Sequence, residues 1–109
     1  MQAVLENNIE NIKQLCEAHF VKKMYVFGSA VKGEFTKESD VDFLYEMDYS
    51  DFDYTNIDNN KFDPFLTYFD LKEKLELLLE KKVDLIANQK FKNKYFVKEM
   101  EKTKTLIYG

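Results

Sequence analysis

Between residues 4 and 20 apolar side chains recur every three or four positions, so that Leu5, Ile9, Ile12, Cys16 and Phe20 fall on one face of a helix. The period then shortens. Residues 24–27 form a brief apolar run closed by Gly28, and residues 41–47 form a second; both read as strands. One helical turn over residues 29–32 and a loop over 33–39 join them. Residues 48–63, DYSDFDYTNIDNNKFD, fit neither period and read as a long loop. Asp63 followed by Pro64 marks a helix start, because the carboxylate caps open N–H groups and proline suits the first helical position. Tyr68, Leu71, Leu75 and Leu78 give that helix its buried face. Residues 83–87 read as a third strand, 91–102 as a helix carrying Tyr95, Phe96 and Met100, and 105–108 as a terminal strand. Strands interleaved with helices predict an α/β (α+β) fold, a small mixed β-sheet with helices packed against it.

Length changes little in this picture: 109 residues, 45% hydrophobic, supply one core, and a single domain over residues 1–109 is expected. No apolar run approaches the roughly 20 residues of a membrane span, and the N-terminus lacks the basic-then-apolar layout of a signal peptide. The single cysteine, Cys16, cannot form an internal disulfide, which fits a reducing cytoplasm. It falls on the apolar helix face and reads as core. The lone histidine, His19, has no partner nearby in sequence and does not read as a metal ligand.

Charge narrows the function. The chain carries a formal −4, and all 16 of its basic residues are lysines, which argues against stable nucleic-acid binding. The 7 tyrosines and 10 phenylalanines are many for this length, so some are expected at the surface, where an aromatic patch marks a protein partner.

The chemistry lies in acids placed inside apolar strands. Asp40 and Asp42, two apart, point to the same side. Val41, Phe43 and Leu44 assign their strand to the core, and desolvating two like charges there costs several kcal/mol unless a cation intervenes. Hard oxygen ligands suit Mg²⁺, which binds one or two carboxylates plus substrate phosphates; two ions about 4 Å apart would clamp a phosphoryl transfer. Asp84, within KKVDLIA, is a third such acid. With its strand beside residues 41–47 it would ligate a second metal or accept a proton from an attacking hydroxyl. Gly28 permits a tight turn and close backbone approach. The N–H groups after it, the Ser29 hydroxyl and the Lys32 ammonium together suit an anion. Gly28 and Gly33 have phosphate-loop spacing, but Glu34 and Phe35 stand where Lys and Ser/Thr are needed, and no Rossmann glycine pattern is present.

Gly28-Ser29, ten residues, then Asp40-x-Asp42 resembles the Gly-Ser-x10-Asp-x-Asp signature of the minimal nucleotidyltransferase (MNT) domains of the DNA polymerase beta superfamily. The likeness extends to Phe27, Gly33, Ser39, Asp84 and the closing NKYFVKEMEKTKTLIY, and so spans essentially the whole chain. It implies a polymerase beta palm-like fold. It also implies an antitoxin of the HEPN/MNT pairs, one that uses Mg²⁺ and transfers AMP from ATP to a tyrosine of its HEPN toxin. By the same likeness Gly28 and Ser29, with Lys32 close by, hold the triphosphate, Asp40 and Asp42 bind the metal, and Asp84 assists the nucleophile and joins the metal set. Many relatives carry an arginine shortly after the Gly-Ser pair; this chain has Ala30, Val31 and Lys32, a point charge without the planar fork.

Other readings stand beside this one. The fold could neutralise a toxin by covering it, without catalysis, or could modify a small molecule such as an aminoglycoside. Asp40 and Asp42 could cap a turn and pair with lysines, Asp84 could pair with Lys81 or Lys82, Ser29 could be a helix cap and Lys32 plain surface. Asp51, Asp53 and Asp58 invite a calcium loop but lack its central glycine and closing glutamate.

Overall fold

The computed structural model describes residues 3–28, 40–48, 63–87 and 94–109. In chain order these form α1 (Ala3–Glu6), α2 (Ile9–Ala18), β1 (Val21–Phe27), β2 (Val41–Met47), α3 (Pro64–Leu79), β3 (Val83–Ala87), α4 (Lys94–Thr103) and β4 (Thr105–Tyr108). The strands make one sheet in the order β3-β2-β1-β4. β1 runs antiparallel to both β2 and β4, whereas β2 and β3 are parallel. A parallel pair cannot be joined by a tight turn, and α3 supplies the crossover. This is the mixed sheet with packed helices that the pattern predicts.

Alternation divides the sheet into two unequal faces. Met24, Val26, Val41, Phe43, Val83, Leu85 and Ile107 face one way and pack with Leu5, Ile12 and Cys16 of the N-terminal helices and Leu71, Leu75 and Leu79 of α3. On the other face Phe27 and Leu44 pack with Met100 of α4, flanked by Tyr25 and Ile86. Asp42 and Asp84 belong to this second, thinner face, since each lies one residue from a side chain committed to the first.

The single N-terminal helix is a corrected expectation. Asn7 and Asn8 break it: the Asn8 side-chain amide donates to the Val4 carbonyl at 2.7 Å, while the Ile12 N–H takes the Asn8 carbonyl at 2.9 Å to start α2. Such local side-chain bonding offers the backbone an alternative to the helix ladder. Phe20 is not on a helix either. Its φ is 60°, and its carbonyl accepts from the Asp48 N–H at 2.7 Å, so the chain has already turned into the sheet. β1 accordingly begins at Val21, earlier than residue 24, because Lys22 and Lys23 mask a strand whose Val21 opposes Met47.

α3 starts as expected: Asp63 Oδ1 accepts from the Phe65 and Leu66 N–H groups at 2.8 and 3.3 Å. Its fully buried row is Leu71, Leu75 and Leu79, with Tyr68 and Leu78 only partly covered, so the stripe follows the i, i+4 ridge. In α4 Met100 is buried and Tyr95 is exposed. Cys16 is core: burial pushes its thiol up to about 12, and its Sγ lies 3.6 Å from Met24 Sδ.

Candidate active site

Three strand ends meet at one edge of the thin face. Phe27, the last residue of β1, opposes Asp42, and Asp42 opposes Asp84 on β3. The mouth is pinned on both sides, because the Val41 N–H donates to the Lys82 carbonyl at 2.9 Å and the Val83 N–H to Glu76 Oε2 at 3.1 Å. Val41, Phe43, Val83 and Leu85 are buried on the opposite face, which holds the two aspartates in register and aims both away from the main core.

Gly28 closes the third side. Its φ is +78°, a region that side-chain-bearing residues avoid, and a Cβ built there would lie 2.7 Å from Asp42 Oδ2. The absence of a side chain is what lets the turn pass the carboxylate.

The electrostatics follow from this crowding. Asp42 is pushed up to about 6, first by burial, then by a hydrogen bond with Asp84, then by the charges of Asp84 and Asp40. Every neighbour that shifts it is acidic. Asp40, exposed just ahead of β2, is the smallest contributor. The structure therefore brings Asp42, Asp84 and Gly28 together, with Asp40 at the rim, as the sequence suggests. Ser29 and Lys32 lie outside the described residues, as do Asp51, Asp53 and Asp58.

Among the described residues no group of three or more His, Cys, Asp or Glu side chains forms a ready cage for a metal. Mg²⁺ does not need one, because it is commonly held by one or two carboxylates with the rest supplied by water and phosphate. The donor set here is carboxylate oxygen alone, and a cation would relieve the burial and like-charge crowding that raise Asp42. These residues fit a hard divalent ion.

The Nucleotidyltransferase domain family profile matches residues 9–107. The chain belongs to this family. Among relatives of this nucleotidyltransferase, MJ1379 of Methanocaldococcus jannaschii, provisionally named a protein adenylyltransferase, is 38% identical over 96 residues, 88% of this chain and 84% of the relative. The protein adenylyltransferase MntA of Thermococcus cleftensis is 35% identical over 81 residues, 74% of this chain and 70% of the relative. The fold is also that of a chain in the structure of the tri-AMPylated Shewanella oneidensis HEPN toxin in complex with MNT antitoxin, matched with a TM-score of 0.58 at 17% identity over 95% of this chain and 71% of the other. The protein is thus an enzyme of the nucleotidyltransferase family, and no helix among its described residues is long and apolar enough to cross a membrane.

One feature outside the site has no sequence signal. Buried His19 bridges two helices, its Nδ1–H donating to the Leu15 carbonyl at 2.7 Å and its Nε2 lying 2.6 Å from Asp70 Oδ2. Lys74 Nζ reaches the same oxygen at 2.8 Å. The histidine is a structural tie, not a metal ligand.

Proposed function

We propose that this enzyme transfers AMP from ATP to a tyrosine hydroxyl of a HEPN-type toxin and so acts as its antitoxin. The observation that carries the reading is the carboxyl pair of Asp42 and Asp84, aligned across parallel strands beside a glycine that leaves the approach open. Relatives named protein adenylyltransferases and an AMPylated HEPN toxin in a neighbouring structure support a protein acceptor. The single reduced cysteine is compatible with a cytoplasmic setting.

In this mechanism the acceptor oxygen forms a bond to the α-phosphorus as the bond to pyrophosphate breaks on the far side. Asp84 orients the hydroxyl and takes its proton. Asp40 and Asp42, with Asp84 at the shared edge, would hold Mg²⁺, two ions in the full complement. When bound, Mg²⁺ neutralises these carboxylates and offsets charge on the phosphate oxygens. Gly28 keeps the backbone close to the triphosphate, and Ser29 and Lys32 add a hydroxyl donor and a positive charge there.

Labelled ATP, Mg²⁺ and the product of the neighbouring gene test the reading. Label is expected on the partner with wild-type enzyme and absent with Asp42→Asn. A wild-type enzyme that leaves the partner unlabelled while still protecting cells overturns it in favour of neutralisation by binding.

A further inference from the structure

Exposed apolar side chains gather at the end of the sheet remote from the acids. Phe65 and Leu66 open α3, Phe69 follows one turn later, and Phe20 stands at the junction of α2 and β1; they are 74%, 69%, 55% and 38% exposed. The Phe65 and Phe69 rings lie 6.0 Å apart, and Phe69 meets Tyr68 edge-on at 5.2 Å. Tyr68 in turn donates its hydroxyl to the Leu85 carbonyl at 3.3 Å, so the stripe rests on the sheet. Beside it a groove of about 580 Å³ separates the end of α2 from α3, lined by His19, Phe20, Leu66, Phe69 and Glu73 among others. The His19–Asp70 contact holds its walls at fixed spacing.

We propose that this stripe and groove dock the protein acceptor through an apolar helix face that carries a lysine or arginine opposite Glu73. The inference rests on the AMP-transfer reading and says where that acceptor is held. Charge selects the occupant. Asp70 is already shared by Lys74 and His19, whereas Glu73 makes no ion pair among the described residues, and the whole chain is at −4. A second copy of this chain is disfavoured, because a twofold contact sets the same patch against itself and brings like acids together. A small molecule is disfavoured by distance. Phe20 bonds to Asp48, six residues along the strand direction from Asp42, about 20 Å at the usual rise of a strand. Only a body of protein size spans from this anchor to the acids. Helix-in-groove recognition matches an apolar stripe of this form.

Leu66→Lys and Phe69→Lys in the full chain, each checked for an unchanged thermal midpoint, test the proposal against the HEPN-type partner. The expected result is a Kd and a KM for the partner raised about tenfold or more, with kcat and the KM for ATP retained. Glu73→Lys is expected to weaken binding and flatten its salt dependence. Asp42→Asn is expected to bind the partner as wild type does and transfer nothing; if it still transfers AMP, the catalytic reading fails while the docking surface stands. An unchanged KM for the partner in both lysine variants overturns the docking surface. So does a wild-type chain that is dimeric alone and becomes monomeric in Phe69→Lys, since the patch then serves self-association.

Discussion

Asp42 and Asp84 stand Cα beside Cα on parallel strands, with their carboxyl groups joined by a hydrogen bond. Burial pushes Asp42 up to about 6, and the bond with Asp84 and the charges of Asp84 and Asp40 add to it. The folded chain then binds the Asp42 proton more tightly than the unfolded chain. Its contribution favours the fold in acid and turns against it as the pH rises from the ordinary aspartate range through about 6. Asp42→Asn removes the penalty. In metal-free buffer at about pH 7.5 the variant is expected to melt about 4 °C above wild type, roughly 1 kcal/mol once solvent screening of a half-exposed group is allowed for. The difference should shrink as the pH falls below 6, which thermal melts across a pH series would show.

On the proposed mechanism a divalent cation would compete for the place of that proton. Mg²⁺ at ten times its Kd is expected to stabilise wild type by about 1.4 kcal/mol near neutral pH. The gain should fall away below pH 6, where Asp42 holds its proton, and should be largely lost in Asp84→Asn. Melting curves with and without Mg²⁺, with no nucleotide present, read this directly. Equal stabilisation of wild type and Asp84→Asn would remove Asp84 from the metal set.

Much of this site is legible in the chain because charge inside an apolar run is conspicuous. Asp42 between Val41 and Phe43, and Asp84 between Val83 and Leu85, stand out without any coordinates. Their adjacency is only conditional at that level, since it depends on β3 pairing with β2 and in that register. Elsewhere the pattern conceals what happens. Leu5, Ile9 and Ile12 stay in helical phase across the break at Asn7 and Asn8, so spacing alone runs the two helices together. Lys22 and Lys23 hide the first turns of β1. The tie between His19 and Asp70 joins residues 51 apart, and no local period reports it.

That tie makes its own pH signature. Asp70 is held below the usual aspartate range by its bond to Lys74 first and to His19 second. A carboxyl lowered in this way stabilises the fold above its unfolded pKa and stops doing so as the pH falls through the folded one. Asp70→Asn is therefore expected to melt below wild type at neutral pH and to converge with it in acid. Because the carboxyl is about half exposed the effect is modest, and added salt should reduce it. AMP transfer without partner limitation should be unchanged, as Asp70 lies at the far end of the sheet.

Gly28→Ala separates two functions of one residue. The methyl group meets a backbone at φ +78° and a carboxylate oxygen at 2.7 Å, so it is penalised by conformation and by contact. The conformational part is about 1–2 kcal/mol for a side chain in the left-handed region. The contact part depends on Asp42 being there. In an Asp42→Ala background the oxygen is gone, and the stability loss from Gly28→Ala should drop to the conformational part alone. Denaturant unfolding of the two single variants and the double variant measures that difference. In the otherwise wild-type enzyme the displaced Asp42 carboxyl should lower AMP transfer by more than the stability loss explains, visible as a reduced kcat at temperatures where the variant is fully folded. A kcat equal to wild type under those conditions would show that the carboxylate tolerates the shift, and that the glycine is required by the turn alone.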